Sequence, residues 1–427
     1  MVKDISQQAS SQSGPLEGIL VLDLTDEKGM YMSKLLADMG ARVILIEHPS
    51  GHPARHIGPF YNDTPDPNRS LLFWYHSTNK ESITLDIETQ RGGQLFCELA
   101  KKADVVLESY QPGYLDSIGL GYQDLYDINP RLIMTSLTGF GQTGPYRDFK
   151  TSDLVAMAMG GPMASCGYDD IEGSPPIRSD GWMGYSTGCN FGAIGTMTAL
   201  FHREFTGEGQ WVDVSIHESL SCTTEAAMPY WFFNRQTPIR QTGRHHGLSP
   251  TKPIQYETSD DKLINGFDIP PRSIDRWNSL IQWMNEKGMA EDFGNDSYRQ
   301  LIIDGVRTGP DIDRLKEHIA HFIGSQTGNE AYHKAQQIRL AWGLIRSPEE
   351  TLEDENFRYD RGFFSEITHP ELGSSFIYPG APYLFNKTPW NIRRRAPLLA
   401  EDNERIYIND LELSREDLSD LRESKVI

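Results

Sequence analysis

The residues best suited to a chemical step lie just before a long apolar stretch of helical spacing. The segment SPPIRSDGWMGYSTG, residues 174–188, contains one carboxylate, Asp180, and one phenol, Tyr185. A carboxylate can act as a nucleophile, although an aspartate before a glycine, here Gly181, is also typical of a turn or a helix cap. The segment therefore raises the question of whether this chain carries a nucleophile of its own.

A second group of residues could bind an anion. Three glycines follow a predicted strand in LTGFGQTGPYRDFK, residues 137–150, and their backbone amides could hold a phosphate or a thioester oxygen. An ordinary glycine-rich connection is the other interpretation. Lys150 is the nearest cation to such an anion, unless it is a solvated surface lysine. Asn79 and Lys80 precede another predicted strand and form either a second phosphate contact or a turn.

Two common cofactor patterns are absent from the sequence. The turn after the first predicted strand, TDEKGM, has one glycine and no G-x-G-x-x-G, so a nicotinamide or flavin fingerprint is missing. Glu47, at the end of the second predicted strand, is the one residue that matches the fingerprint, because dinucleotide-binding proteins have a ribose-binding acid there. The neighbours His245 and His246 diverge in space and have no evident third ligand, so we expect no metal site.

The elements that must position these residues follow an α/β pattern. Short continuous apolar runs alternate with stretches of helical spacing such as MSKLLADMG and GGQLFCELAKK. The alternation predicts an α/β fold with a mostly parallel, doubly wound sheet. The predicted strands are residues 18–24, 42–47, 103–108, 131–137 and 211–216.

The composition changes along the chain and predicts its domains. Residues 1–14 are polar, lack the apolar region of a signal peptide and are expected to form a flexible tail. Residues 15–225 carry the α/β pattern of a large domain. Residues 226–340 are first aromatic and turn-rich, then helical and charged, which predicts a smaller domain. Strand and loop patterns return in residues 341–427, which we expect to rejoin the large domain.

Charge and cysteine content narrow the class of protein. The 427 residues carry a formal net charge of −20, which argues against nucleic acid or an anionic membrane as a partner. No apolar run approaches the roughly 18 residues of a membrane span. The four cysteines form no C-x-x-C pair, which is typical of a reduced, cytoplasmic protein.

Several segments together resemble the family III CoA-transferases, also called the CaiB/BaiF family. The resemblance extends over about residues 15–410 and implies a Rossmann-like large domain, a smaller inserted domain and a dimer of two interlocked chains. The segments, in order, are PLEGILVLDLT, KLLADMGARVILIEHPSGHPAR, TNKESITLDIET, ADVVLESYQPGYLDSIGLGY, NPRLIMTSLTGFGQTGPYRD, TALFHREFTGEGQWVDVSIHESL and TPWNIRRRAPLLAEDNE.

The resemblance also implies a reaction. Members of the family move CoA from an acyl-CoA donor to a free carboxylate; an aspartate attacks the thioester, forms a mixed anhydride and then becomes an aspartyl-CoA thioester. CoA and acyl-CoA are then substrates, and no tightly bound cofactor or metal is implied. The first loop, DEKG, and Ser117 depart from the family pattern. Carried over by position, the CoA-binding residues are Asp26, Glu27, Lys28, His48, Asn79, Lys80, Ser109, Tyr110 and Lys150.

The position of the family's nucleophile is occupied by a tyrosine. The chain can be aligned with formyl-CoA transferase forward from Pro175 and Pro176 or backward from Thr206, and neither direction needs a gap. Both alignments place Tyr185 at the position of the nucleophilic aspartate. A phenol, with a pKa of about 10, would form an aryl ester and not an anhydride. Asp180 could replace the aspartate only after a backbone shift of several Å. Ser152 stands where related racemases have a catalytic histidine, so racemase chemistry lacks both of its bases.

Three functions remain open at this point. The first is a subunit that lacks the nucleophile and pairs with a homologous, aspartate-bearing subunit, with succinyl-CoA as the expected donor. Some members of the family, such as succinyl-CoA:(R)-benzylsuccinate CoA-transferase, have two homologous subunits, and the opening LDLTDEKG resembles them. The second is a homodimer that binds acyl-CoA without turnover. The third is an active enzyme with a displaced carboxylate, Asp180 or Glu172.

Overall fold

The computed structural model describes residues 14–224, 227–250 and 253–427 and divides into two compact units. The predicted tail, residues 1–14, lies outside the described residues except for Gly14. The second unit interrupts the first, and the observed changes near residues 236 and 354 lie beyond the composition changes at 225 and 340. The first unit comprises Met1–Ser165, Pro176–Gln236 and Glu355–Ile427, and the second comprises Cys166–Pro175 and Thr237–Asp354.

Strands and helices alternate along the first half of the chain. They are β1 (Leu20–Leu24), α1 (Met30–Asp38), β2 (Arg42–Glu47), α2 (Leu71–His76), β3 (Lys80–Thr84), α3 (Gln90–Ala100), β4 (Val105–Glu108), α4 (Tyr114–Ser117), α5 (Tyr122–Ile128), β5 (Ile133–Thr138), α6 (Asp153–Met159), α7 (Met183–Thr206), β6 (Trp211–Ser215) and α8 (Ile216–Ser221).

The second half has shorter strands and more helices. They are α9 (Ala227–Pro229), β7 (Ile239–Gln241), β8 (Arg244–Gly247), β9 (Gln255–Glu257), β10 (Leu263–Gly266), α10 (Ile274–Glu286), α11 (Asp296–Ile303), α12 (Pro310–Gly324), α13 (Gly328–Gln337), β11 (Trp342–Leu344), α14 (Pro348–Leu352), β12 (Phe364–His369), β13 (Ser374–Pro379), α15 (Asn403–Arg405) and α16 (Arg415–Glu423).

A six-stranded sheet forms the centre of the first unit. Its strand order is β3-β2-β1-β4-β5-β6 and every pair is parallel. In its register Val21 of β1 lies opposite Val43 of β2 and Val105 of β4. Helices cover both faces of such a sheet, which is why its strands have continuous apolar sequences. The prediction of an α/β fold with a parallel sheet is confirmed.

The first unit has two hydrophobic cores, one on each face of the sheet. Successive side chains of β1 point alternately into these two cores, because side chains alternate between the faces of a strand. Val21 belongs to a buried cluster with Leu36 of α1 and Cys189 of α7. Leu22 belongs to the opposite cluster, with Phe96 of α3 and Leu418 of α16. The sheet is therefore a middle layer between two layers of helices.

Three glycines bring α7 close to its neighbours. Gly184, Gly188 and Gly192 recur at four-residue spacing along one face of this helix. A Cβ on Gly192 would lie 2.4 Å from the Met32 sulfur, and a Cβ on Gly188 would lie 2.8 Å from Ile216. Only a residue without a side chain permits this approach, so the sequence of α7 is fitted to its place against α1 and α8.

The end of the chain completes the edge of the sheet at β3. The Asp402 carboxylate accepts the Ser82 backbone N–H at 2.9 Å, and the Asn403 side-chain oxygen accepts the Thr84 N–H at 2.9 Å. The Tyr407 hydroxyl donates to the Thr84 carbonyl at 2.7 Å. These contacts occupy polar groups that an edge strand would otherwise leave open.

The second unit has its own small core. A three-stranded antiparallel sheet, in the order β11-β10-β9, is accompanied by α10, α12 and α13. Trp277, Phe322 and Trp342 are among its buried side chains. Strands β7 and β8 form a separate antiparallel hairpin.

Candidate functional site

The strand order reverses between β1 and β4. The chain proceeds outward from β1 through β2 to β3, and then returns to the other side of β1 at β4. A ligand-binding crevice commonly forms at the carboxyl ends of the two strands that flank such a reversal. The loops at this place carry five of the residues that the resemblance assigned to CoA: Asp26, Glu27, Lys28, Ser109 and Tyr110.

The two loops are joined by hydrogen bonds. The Ser109 hydroxyl accepts the Asp26 backbone N–H at 2.8 Å and donates to the Asp26 carboxylate at 2.8 Å. The same carboxylate accepts the Lys28 N–H at 2.9 Å and pairs with the Lys28 ammonium. The Lys28 carbonyl in turn accepts the Cys189 thiol at 3.1 Å, which ties the first loop to α7.

A cavity of about 170 Å³ adjoins these loops, and we refer to it as the lysine cavity. Its lining includes Lys28, Ser109, Tyr110 and Lys150, so the structure brings together four of the predicted CoA residues. Arg147 also lines it, was not predicted, and lies three residues before Lys150 in PYRDFK. The remaining lining residues are Gln111, Pro112, Thr138, Gly139, Phe149 and Thr151.

The lysine cavity combines three cations with glycine-rich backbone after β5, a combination that can hold a phosphate or another anion. Lys28 and Arg147 have acidic neighbours, because Lys28 pairs with Asp26 and Arg147 lies 3.2 Å from Asp148. These pairs are partly exposed, and an incoming anion competes with carboxylates that water already screens. Lys150 is exposed and is well placed to meet such an anion first.

The structure places Asn79 and Lys80 in the interior. The Lys80 ammonium lies 3.1 Å from the Asp23 carboxylate, with both side chains fully buried, and also donates to the Met30 carbonyl. The Asn79 amide donates to Asp38 at 2.6 Å, and its oxygen accepts the Arg393 N–H at 2.6 Å. Of the two interpretations offered by the sequence, the structure has the turn, at residues 77–79, and both side chains have internal partners that leave them unavailable to a phosphate.

His48 lies apart from the lysine cavity. It follows β2, is exposed, and its Nδ1 lies 2.7 Å from the Ser50 hydroxyl. The residues that line the lysine cavity do not include it. If His48 contacts CoA, as the resemblance implies, it would do so outside the lysine cavity.

Tyr185 lies in the first turn of α7 and is only 8% exposed. Its backbone N–H donates to the Asp153 carboxylate at 3.1 Å, and its ring packs edge-to-face with Trp182 at 5.7 Å. Burial raises the pKa of the phenol well above its usual value, and the nearby Glu27 and Asp26 carboxylates raise it further. The hydroxyl is therefore neutral at physiological pH.

Glu27 acts electrostatically on Tyr185, and Ser152 immediately precedes its backbone acceptor Asp153. The Glu27 carboxyl is half-buried, and burial followed by repulsion from Asp26 raises its pKa. Ser152 caps α6, where its hydroxyl accepts the Val155 N–H at 3.3 Å. Residue 185 is thus surrounded by acidic groups, yet it is itself a phenol.

Residues 184–188, GYSTG, also match the letters of the G-x-S-x-G pattern that surrounds nucleophilic serines in hydrolases. That pattern signals a nucleophile only on a sharp turn between a strand and a helix. Here Ser186 lies within α7, and its N–H donates to the Trp182 carbonyl at 2.9 Å as part of that helix. The structural context does not support a serine hydrolase.

Asp180 lines a different cavity, of about 550 Å³, which we call the histidine cavity because His76 lies in it. Asp180 is exposed, and its carboxylate accepts the Gly181 N–H at 2.8 Å, the turn arrangement that its sequence also suggested. Glu172 belongs to the second unit. The residues that line the lysine cavity include neither of these carboxylates.

The described residues contain neither a cluster suited to a metal ion nor a membrane-spanning helix. Among residues 14–224, 227–250 and 253–427, no group of three or more His, Cys, Asp and Glu side chains is arranged to hold a metal ion. The side chain of His245 lies outside this description. Within the same ranges no helix is long and apolar enough to cross a membrane.

Comparison with known proteins identifies relatives over nearly the whole chain. The family description "CoA-transferase family III" matches residues 16–403. The chain is 32% identical, over 91% of its own length and 92% of the relative, to the succinyl-CoA:(R)-benzylsuccinate CoA-transferase subunit BbsE of Thauera aromatica. It is 30% identical to the succinyl-CoA–L-malate CoA-transferase beta subunit of Chloroflexus aurantiacus, over 97% of this chain and 98% of that one.

A solved structure shows the same fold. The crystal structure of a CaiB/BaiF family protein from Brucella suis aligns with a TM-score of 0.75 and 24% sequence identity. The alignment covers 94% of this chain and 100% of that one. The similarity extends over both compact units.

Proposed function

The chain belongs to CoA-transferase family III, and we propose that it is a subunit that lacks the aspartate nucleophile in a heteromeric enzyme of that family. In this proposal a homologous subunit supplies the aspartate, and the pair moves CoA from succinyl-CoA to a carboxylic acid. The two relatives described above support a heteromeric enzyme, because each is named as a subunit. They also support succinyl-CoA as the donor, because it appears in both names.

Tyr185 carries the proposal. A family III reaction needs a carboxylate, since only a carboxylate forms an anhydride that the CoA thiolate can reopen. Residue 185 instead provides a buried phenol whose pKa is raised by burial and by Glu27 and Asp26. A neutral phenol is a weak nucleophile, and its product would be an ester that leaves the reaction sequence.

The neighbouring carboxylates are poor substitutes. Asp153 is 6% exposed and already engaged, because one oxygen accepts the Tyr185 N–H and the other lies 3.2 Å from Arg178. Glu27 has a raised pKa, which reduces its anionic fraction. Asp180 lines the histidine cavity, away from the predicted CoA contacts.

We propose that the chain still binds acyl-CoA, in the lysine cavity. Lys28, Arg147 and Lys150 supply positive charge there, and Ser109 and Tyr110 also line the cavity. In an interlocked dimer of two homologous subunits, one chain can contribute binding surface while the other contributes the aspartate. We place the assembly in the cytoplasm as part of this proposal.

The test is reconstitution with an aspartate-bearing homologue encoded with this chain. The chain alone, the homologue alone and the co-purified pair are each mixed with succinyl-CoA and a panel of aryl and alkyl carboxylic acids, and acyl exchange is followed by mass spectrometry. We expect exchange only with the pair. A homologue in which the nucleophilic aspartate is changed to asparagine is the matched control and should abolish exchange.

Other outcomes select the alternatives. Turnover by the pure chain would contradict the proposal, and loss of that turnover in Asp180→Asn would identify a displaced carboxylate. Saturable binding of succinyl-CoA by the chain, with no exchange in any combination, would instead favour a binding protein without turnover.

A further inference from the structure

A cavity of about 310 Å³ lies beside the lysine cavity and shares Gln111 with it. We call it the acidic cavity, because Glu108 and Asp116 line it and its lining residues, all within the described part of the chain, include no lysine or arginine. Tyr122, Ser136 and Trp211 also line this cavity. The function proposed above makes no use of this cavity.

Glu108 is the last residue of β4 and is only 4% exposed. Its carboxyl accepts the Tyr110 backbone N–H at 2.7 Å, and the neutral Ser136 hydroxyl favours its ionised form. The Ser136 oxygen itself accepts the Trp211 indole N–H at 2.9 Å. These groups are neutral, and no lysine, arginine or histidine among the described residues forms an ion pair with Glu108.

The charged groups with the largest effect on Glu108 are acidic. Asp26, from the loop after β1, and Asp213, from β6, both act on it, and burial together with these charges raises its pKa to about 7. Asp26 is itself paired with Lys28, and Asp213 accepts the Gln142 backbone N–H. A cation placed in the cavity would supply the charge that Glu108 lacks, since a buried carboxylate without one is costly.

Two aromatic rings lie along the same cavity. The rings of Tyr122 and Trp211 are nearly parallel, with centroids 6.1 Å apart and an angle of 16° between their planes. Trp211 is 43% exposed, so part of its ring is accessible from solvent. Aromatic faces attract cations, and they attract flat ones most effectively because these stack as well.

We propose that the acidic cavity binds a planar organic cation, a guanidinium or an amidinium, with its N–H groups directed at Glu108 and its face against Tyr122 or Trp211. A guanidinium fork matches the two oxygens of a carboxylate. The volume of about 310 Å³ accommodates such a group with a small apolar body.

Binding involves one proton. When Glu108 is neutral, the cation displaces the carboxyl proton to solvent and pairs with the resulting carboxylate; when Glu108 is already ionised, no proton moves. Affinity for the cation should therefore rise with pH through about 7 and level off above it. From pH 6 to pH 8 this amounts to about a tenfold increase.

The test uses benzamidinium as the probe and benzamide as its neutral counterpart, titrated into the full-length chain by isothermal calorimetry. We expect benzamidinium to bind about tenfold more tightly at pH 8 than at pH 6, and to release protons at pH 6 as judged from buffers of different ionisation enthalpy. Benzamide should bind more weakly and without a pH dependence. Equal binding of the two probes, or binding of neither, would overturn the proposal.

Two variants locate the site. Glu108→Gln should weaken benzamidinium binding at least tenfold at pH 8 and remove the pH dependence, whereas Glu366→Gln, at an exposed carboxylate on β12, should change neither. Trp211→Leu provides an independent check if Glu108→Gln does not fold, and should weaken benzamidinium binding several-fold. An unchanged affinity in Trp211→Leu and Glu108→Gln would exclude this cavity as the site.

Discussion

The Asp153 carboxylate accepts the backbone N–H of Tyr185 at 3.1 Å. A carboxylate thus lies beside the residue that the family resemblance aligns with the nucleophile, but it faces the backbone of that residue and pairs with Arg178. Asp153 serves α7 as a buried acceptor for an N–H at the start of the helix, where four such groups lack partners within the helix. Under the proposed function, this acidic group is therefore a support for the helix and not a substitute nucleophile.

The first prediction concerns Tyr185. Because its neutral phenol takes no part in the proposed reaction, Tyr185→Phe should change the exchange rate of the reconstituted pair by less than about twofold. Phenylalanine retains the ring contact with Trp182 and the backbone bond to Asp153. Initial rates with succinyl-CoA measure the effect, and a loss of more than tenfold would show that the hydroxyl participates.

The second prediction concerns CoA binding in the lysine cavity. Removing the exposed cation in Lys150→Ala should weaken CoA binding by about five- to tenfold in low salt, and the difference should shrink as salt screens the phosphates. Lys387→Ala, at another exposed lysine, is the matched control and should leave the affinity unchanged. Calorimetric titration with CoA at two salt concentrations separates these results.

The third prediction concerns the buried pair of Lys80 and Asp23. Lys80→Met leaves the buried Asp23 carboxylate with its hydrogen bonds from Thr25 but without its counter-charge, and should lower the free energy of unfolding by about 3–5 kcal/mol. The double variant with Asp23→Asn should lose less than the sum of the two single changes. Lys101→Met, which breaks the exposed pair with Glu98, should cost under about 1 kcal/mol in the same urea titrations.

The fourth prediction concerns α7. Gly188→Ala places a methyl group 2.8 Å from Cγ1 of the buried, β-branched Ile216 and should destabilise the protein by about 1–3 kcal/mol. Gly93→Ala in α3 meets only the Ile87 carbonyl at 3.5 Å and should stabilise by about 0.5–1 kcal/mol, since alanine is the better helix former. We therefore expect the midpoint of thermal unfolding to fall in the α7 variant and to rise in Gly93→Ala. Midpoints that move in the same direction would contradict the packing argument.

The fifth prediction concerns His76. Burial, with Lys80 and Lys34 adding to it, lowers the pKa of this histidine to about 3, and its Nδ1 has no hydrogen-bond partner. The folded pKa lies below the unfolded value of about 6.5, so stability is lost as the pH falls from about 6.5 towards 3.

His76→Phe removes that titration and keeps the edge-to-face contact with Tyr31. Relative to the unaltered protein, the variant should therefore gain about 1.4 kcal/mol per pH unit of acidification below pH 6. Urea unfolding at pH 7, 5 and 4 provides the comparison. His56→Phe, at an exposed histidine, should show no such trend.

The parallel sheet was predictable because its sequence signal is local. Residues 42–47, RVILIE, are apolar without interruption, and the structure has β2 at Arg42–Glu47. The signal is clear because both faces of the strand are covered. Lys28 and Ser109 could be named only through the family resemblance, whereas Lys150 was also suggested by the glycine-rich segment after a predicted strand; all three line one cavity.

Asn79 and Lys80 show what the sequence alone does not reveal, because the turn was one of its two interpretations but the burial of both side chains was not expected. A polar pair before a strand normally indicates an exposed turn, and their local sequence contains no sign of burial. Their partners are Asp23 and Arg393, which are distant in sequence and become neighbours only when the sheet and the end of the chain have assembled. Arg147 was missed for the related reason that a loop must fold back to bring it beside Lys28.

The contacts of β3 with residues 402–407 have a consequence for biosynthesis. A ribosome releases Ser82 and Thr84 long before their partners Asp402 and Asn403 exist, so the N-terminal part of the nascent chain emerges with an open sheet edge. Such an edge can pair with any other exposed strand, including one on a neighbouring nascent chain. Closure can occur only after residues 402 and 403 have left the ribosome, which leaves a period in which a molecular chaperone, or a partner strand, can occupy the edge first.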